Sequence, residues 1–306
     1  MKILITGAAG FLGQECVKQF AANGHQIITT DRKGRVDLLG DLADALFTNT
    51  LPAVDAVVHA AAVQYVSQDL PLLNRKAYFH RNNILATQAI CTRYTGQPTH
   101  FVHIATSMMY DQTGLEVYRT TSSLKGQGVY SRSKLQSQLF VDQLPNPIAT
   151  VIPCIIGGRG REGLFRSFIS MMKRYGVVVF PGSGKHLTHM VHVKDVAGLI
   201  LQIVESQAVG RFNAAAPQPL SINQWIDEIE DELKFNNIKR LHLPLFPIQL
   251  LSSLFGYRLL AREQLLMLGQ QHVLSIDESL GIGWKPHYTN AQIVREIAQY
   301  ISEDVK

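Results

Sequence analysis

Tyr130 and Lys134 stand four residues apart in Gly128-Val-Tyr-Ser-Arg-Ser-Lys134. If this stretch is helical, as the following Leu135, Leu139 and Phe140 suggest, the two side chains share one face, one turn apart. A free phenol, with a pKa of about 10, is a poor base at neutral pH, and a neighbouring ammonium favours its phenolate. Such a pair can move a proton. On its own it would mean little, but the chain opens with Gly7-Ala-Ala-Gly10-Phe-Leu-Gly13 directly after an apolar run. A turn of this kind requires torsions open to glycine, lets a pyrophosphate approach the main chain, and starts a helix whose first N–H groups face the anion. Asp31, 18 residues after Gly13, ends the next apolar run, where a carboxylate accepts hydrogen bonds from an adenosine ribose and repels a 2′-phosphate. That favours NAD as cofactor. Arg32 follows directly and would instead bind the extra phosphate of NADP.

These residues need a scaffold, and the first 155 residues supply its rhythm. Short apolar runs alternate with amphipathic stretches, the pattern of beta-alpha-beta units around a parallel sheet. The expected strands are Lys2–Thr6, Gln26–Thr30, Ala56–Ala60, Phe101–Ala105 and Ala149–Pro153. Between the first two, Leu12, Cys16, Val17, Phe20 and Ala21 recur at helical spacing until Asn23-Gly24 stops the helix. The fold class that follows is α/β, a Rossmann-type doubly wound parallel sheet with a smaller C-terminal α/β substrate lobe. Residues 1–154 form the nucleotide-binding domain, rejoined by about 190–203, and 155–306 mainly form the lobe.

The bulk composition narrows the function classes. With 46% apolar and 17% charged residues among 306, the chain has the make-up of a soluble globular protein. Its net charge of +5 comes from 29 basic and 24 acidic residues spread along the sequence, so no basic block marks a nucleic-acid tail. Cys16, Cys91 and Cys154 lie far apart in apolar contexts, which suits a reducing cytoplasm rather than a disulfide framework. No run of about 18 apolar residues exists to span a membrane. The expected partner is a small-molecule substrate.

The order of the glycine turn and the Tyr-x-x-x-Lys pair resembles the short-chain dehydrogenase/reductase superfamily. Further stretches resemble its extended branch, the NAD-dependent epimerase/dehydratase family: Gly40-Asp41-Leu42, His59-Ala60-Ala61, Asn83-Ile-Leu-Ala-Thr87, and Phe101-Val-His-Ile-Ala-Thr106-Ser-Met-Met-Tyr110. The resemblance implies that Gly7, Gly10, Phe11, Leu12 and Gly13 cradle the cofactor, that Asp41 and Leu42 hold adenine, and that Ala60, Ala61 and Pro153 line its site. It implies that Asn83 supports the active-site helix and that Lys134 also hydrogen-bonds the nicotinamide ribose. It puts Thr106 at the catalytic hydroxyl position beside Tyr130 and Lys134, with Ser107 as the alternative, and Tyr110 at the substrate border. A homodimer is also implied.

The C-terminal half determines the substrate. Where sugar-nucleotide enzymes of this family commonly carry an arginine that grips the diphosphate, this chain has Thr188. Gly182-Ser-Gly-Lys-His-Leu187 resembles the 3β-hydroxysteroid dehydrogenase and dihydroflavonol reductase branch instead. The expected activity is hydride transfer at a secondary alcohol or ketone. Sugar-nucleotide epimerisation or dehydration is the alternative, with Arg159 and Arg161 replacing the missing arginine in a substrate-facing loop. A non-catalytic NAD(P)-binding sensor is a third reading, although such proteins commonly lose the tyrosine or lysine that this chain keeps. His186, His189 and His192 recur every third residue, but on a strand this spacing sends neighbours to opposite faces, so no metal is expected. The apolar stretch 241–268, with Pro244, Pro247, Arg258 and Arg262 within it, reads as packing of the small lobe, a lid over an oily pocket or contact with a membrane surface being the alternatives.

Overall fold

The computed structural model describes residues 1–304 apart from 66, 68, 113, 115, 249–262, 264, 265, 267 and 268. Most of the apolar 241–268 stretch, with Arg258 and Arg262, therefore lies outside the described residues. The five expected strands form, each within a residue of its expected bounds: β1 Lys2–Thr6, β2 Gln26–Asp31, β4 Ala56–His59, β5 His100–Ile104 and β6 Ile148–Pro153. A two-residue strand, β3 Leu38–Leu39, and a last one, Gly210–Ala214, complete a seven-stranded sheet. Its strand order is Gly210–Ala214, β6, β5, β4, β1, β2, β3, and every neighbouring pair is parallel. The order reverses at β1, so the crevice beyond its carboxyl end is where such sheets bind ligands.

Near-continuous apolar strands mean that both faces must be covered. Ile3 and Ile5 of β1, with Val58 and Val102, pack under Cys16 and Phe20 of the helix Phe11–Ala22 and Val196, Ile200 and Ile203 of the helix Val193–Ser206. Leu4, Val57 and Phe101 point the opposite way, onto Ile90 and Tyr94 of the helix Ala86–Tyr94 and Val141 of the helix Val129–Val141. A separate apolar cluster gathers helices of the C-terminal half. In it Phe165, Phe168 and Ile169 of the helix Gly163–Tyr175 meet Trp225, Ile226 and Ile229 of the helix Ile222–Leu233 and Ile293 and Ile297 of the helix Asn290–Asp304. Ser221 and Gln224 form a reciprocal capping box at the start of the second of these helices.

The segment that carries His189 and His192 forms two short strands and not one, Leu187–Thr188 and Met190–His192, and Val193 already begins a helix. His189 faces Leu274, whose N–H it accepts at 3.0 Å, while His192 is bonded to Glu296 at 2.9 Å and stacked on Tyr288. Among the described residues no group of three or more His, Cys, Asp or Glu is placed to hold a metal, and no helix is long and apolar enough to cross a membrane.

Candidate active site

The glycine turn sits at the switch point of the sheet. Gly7 has φ +66°, and a Cβ there would lie 2.8 Å from the Ala61 backbone, so the turn leans directly on the end of β4. Gly13 lies so close to the turn that a Cβ would fall 2.1 Å from the Gly7 carbonyl oxygen. The helix Phe11–Ala22 starts at Gly10 without a side-chain cap, which leaves its first N–H groups to an anion. These groups open into a cleft of about 630 Å³ whose walls include Gly7, Gly10, Phe11, Leu12, Gly13, Asp31, Arg32, Asp41, Leu42, Ala60, Ala61 and Pro153. Asp31 accepts the Ala9 N–H at 3.1 Å and the Arg32 N–H at 2.7 Å. The Arg32 guanidinium is held by Asp69 and by Asn82. Asp41 pairs with Arg81 at 2.9 Å.

Beneath Ala60 and Ala61 a buried chain of hydrogen bonds fixes the strand end. Thr6 Oγ1 meets His59 Nδ1 at 2.9 Å, His59 Nε2 meets Thr87 Oγ1 at 3.0 Å, and the Ala61 N–H donates to Thr6 Oγ1 at 3.1 Å. Burial first, then the nearby Lys134, pushes the His59 imidazole down to about 3, so it is neutral. Asn83 does not line the cleft. It accepts the Val63 N–H at 2.9 Å and donates to Ser133 Oγ at 2.9 Å, tying the exit of β4 to the helix that carries Tyr130. Asn83 belongs to a π-helical stretch, His80–Leu85, inserted before the helix Ala86–Tyr94, a distortion often met at functional sites.

Tyr130 and Lys134 lie on the first turns of Val129–Val141, only 6% and 2% exposed, and both face the cleft. Lys134 Nζ donates to the Ile104 carbonyl at 2.7 Å, and burial brings its pKa down to about 7. The tyrosine differs from the expectation of a lysine-favoured phenolate: desolvation prevails and raises it to about 12, with Thr106 and Arg161 pulling the other way. A phenol so placed is an acid with its proton in hand. Thr106 ends the extension of β5 and lines the cleft, its Oγ1 accepting the Met108 N–H at 3.3 Å. Ser107 also lines it, but its hydroxyl is bonded to the buried His272 at 2.8 Å. Burial lowers that imidazole to about 4.

Two expected substrate contacts are corrected by the structure. Tyr110 turns away from the cleft: its hydroxyl donates to Asn213 Oδ1 at 2.7 Å in the core, and its ring stacks on Tyr118. Tyr110 follows the short helical segment Ser107–Met109 in extended conformation and is fully buried. Arg159 points outward, paired with Glu303 and lying over Tyr300. Arg161 alone of the two arginines reaches the cleft, donating to Gln64 Oε1 at 2.6 Å and lying over the Phe11 ring. The wall beyond Tyr130 is apolar, made by Phe165, Met190, Trp225 and Ile297, with Thr188 among them. Tyr65 also lines the cleft, while His272 and Glu263 lie behind it, bonded to Ser107 and Ser131; no spacing in the sequence indicates these three, since each depends on contacts between distant segments.

A sequence model of the NAD dependent epimerase/dehydratase family matches residues 3–215. The chain belongs to this family. Among its relatives, the 2-alkyl-3-oxoalkanoate reductase of Stenotrophomonas maltophilia is 29% identical over 75% of this chain and 74% of its own length. Among solved structures, the dTDP-glucose 4,6-dehydratase DesIV of Streptomyces venezuelae, with NAD and TYD bound, superposes with a TM-score of 0.78 at 19% identity, covering 99% of this chain and 98% of that one. The human epimerase family protein SDR39U1 with NADPH gives 0.79 at 19% identity, over 98% and 99%. At such identities the superpositions establish the shared fold of this family member and no more.

Proposed function

We propose that this family member is an NAD(P)-dependent oxidoreductase acting at a secondary alcohol or ketone, with Thr106, Tyr130 and Lys134 as its catalytic group. The observation that carries this reading is the meeting of the glycine turn, the buried Tyr130–Lys134 face and Thr106 in one cleft with an apolar far wall. Bound NAD(P) would supply the hydride donor or acceptor. The uncapped helix start at Gly10 and the bare backbone of Gly7 would hold its pyrophosphate, and Lys134 would hydrogen-bond its ribose. Tyr130, protonated by burial, donates its proton to the substrate oxygen as that atom gains charge, and the Thr106 hydroxyl steadies the same oxygen. The apolar wall excludes water from the reacting carbon.

Arg32 already has Asp69 as counter-charge, while the Asp31 carboxylate faces the cleft. We therefore expect NADH to bind about tenfold or more tightly than NADPH, the worth of one hydrogen bond to a charged group. Calorimetric titration with both cofactors checks this, and tighter NADPH binding would transfer the role to Arg32. Activity is sought by following NADH oxidation across a panel of lipophilic ketones. Tight NADH binding with no turnover of any ketone or sugar nucleotide would favour the sensor reading.

One observation favours the sugar-nucleotide alternative: Arg161 faces the cleft and, among the described residues, has no acidic partner. A diphosphate gripped there would gain a charge-assisted contact of about 1.5–3 kcal/mol. With Arg159 turned outward and Thr188 where an arginine is usual, we expect neither UDP nor dTDP to raise the melting temperature or inhibit turnover. Micromolar binding of either, lost in Arg161→Ala, would promote epimerase or dehydratase chemistry to first place.

A further inference from the structure

Glu263 comes from a stretch far from every motif in the sequence, yet it is 3% exposed and lies against the start of the helix Val129–Val141. Its Oε1 accepts both the Ser131 N–H and the Ser131 hydroxyl at 3.0 Å. Its Oε2 accepts the Tyr65 hydroxyl, also at 3.0 Å. The Tyr65 oxygen in turn accepts the Tyr130 N–H at 3.3 Å, and the two tyrosine rings meet edge to face with centroids 5.8 Å apart. Gly128 leaves the necessary room, since a Cβ at that position would sit 1.9 Å from Oε2.

A buried carboxylate is costly unless hydrogen bonds replace its water. Here three donors do so, two of them from a helix N-terminus, where unpaired N–H groups and the helix dipole both favour negative charge. The same arrangement constrains Tyr130 twice: its backbone N–H is held through Tyr65, and its ring is packed by Tyr65 and Phe79.

We propose that Glu263 is a positioning residue for Tyr130, its carboxylate fixing the first turn of the helix through Ser131 and Tyr65. The proposal rests on reading Tyr130 as the proton-transfer group. The charged and titratable groups around that phenol are few. Thr106 and Arg161 stabilise the phenolate, and Glu263 adds to burial in opposing it. Tyr65 stays neutral because burial and Glu263 raise its own pKa. Lys134, one turn along, donates a hydrogen bond to the Ile104 carbonyl.

The test needs no substrate. The full chain is produced with isotope-labelled tyrosine, the Tyr130 resonance is assigned by its loss in Tyr130→Phe, and its ionisation is followed by NMR as pH rises. Glu263→Gln keeps the size and the acceptor oxygen but removes the charge, so the Tyr130 pKa should fall by about one, the scale of a neighbouring charge. Gly128→Ala should move it the same way by displacing the carboxylate while leaving it in the chain. A Tyr130 titration unchanged in either folded variant overturns the proposal, as does a loss of folding in both, which would make Glu263 a stability element only. Because the readout is an ionisation, a shift can be seen whether or not Tyr130→Phe impairs turnover, so failure here and failure of the functional reading are separate results.

Discussion

Tyr130→Phe is expected to bind NADH as the unaltered protein does and to turn over substrate roughly 10²–10⁴-fold more slowly, the range for loss of a positioned acid or base. The ring is buried against Tyr65 and Phe79, and phenylalanine keeps that packing, so the change removes little but the hydroxyl. Turnover measured with saturating cofactor gives the effect, and an unaffected rate would rule out the proposed chemistry. Lys134→Met should differ in kind by weakening cofactor binding as well. Its effect on stability has a defined sign. With its pKa lowered from 10.5 to about 7, Lys134 binds fewer protons in the folded than in the unfolded chain between those values. Its folded state therefore gains stability as pH rises through that window and is penalised below it. Lys134→Met should flatten this dependence, so the cofactor-free variant should melt at a higher temperature than the unaltered protein at pH 6. Thr106→Val should slow turnover more than Ser107→Ala if the hydroxyl free of His272 is the one that meets the substrate.

Gly13→Ala is expected to cost about 1–3 kcal/mol of stability, the usual penalty for overfilling a packed site, and to weaken NADH binding by about tenfold or more. The added carbon would fall 2.1 Å from the Gly7 carbonyl and 2.8 Å from Ala8 Cα, both backbone atoms that cannot rotate aside. Relief must come from shifting the helix start relative to the turn, and that is the geometry a pyrophosphate needs. Gly10→Ala is the control: its Cβ would stand 3.1 Å from the same oxygen and should be tolerated better. Calorimetry and thermal melting on both variants read the difference. Equal NADH affinity in Gly13→Ala and the unaltered chain would mean that this turn is not the cofactor cradle.

Local pattern made much of the fold legible. The Val- and Ile-rich runs of β1, β4 and β5 could only be buried strands, and the glycine spacing after β1 indicated the turn at the switch point. The two-residue β3 and the strand Gly210–Ala214 carried too little apolar signal to be read; the second is a strand because β6 offers it a paired edge. Helical spacing sufficed to put Tyr130 and Lys134 on one face. It gave the wrong sense for the phenol, because a lysine one turn away was weighed without the desolvation that dominates once the helix is packed.

The sequence by itself indicated the family through the resemblance of its motifs, and short-range spacing, two for strands and about 3.6 for helices, gave five of the seven sheet strands and the shared face of Tyr130 and Lys134. The tertiary structure alone decided which of two nearby arginines faces the cleft, that Tyr110 is a core residue, and that Ser107 is engaged by His272. It also brought Glu263 across 132 residues to Ser131 at the head of the helix Val129–Val141. Such pairings carry no periodic trace. They arise when two separately formed surfaces are pressed together, and a buried charge or hydroxyl must then find its partner wherever the chain has placed one.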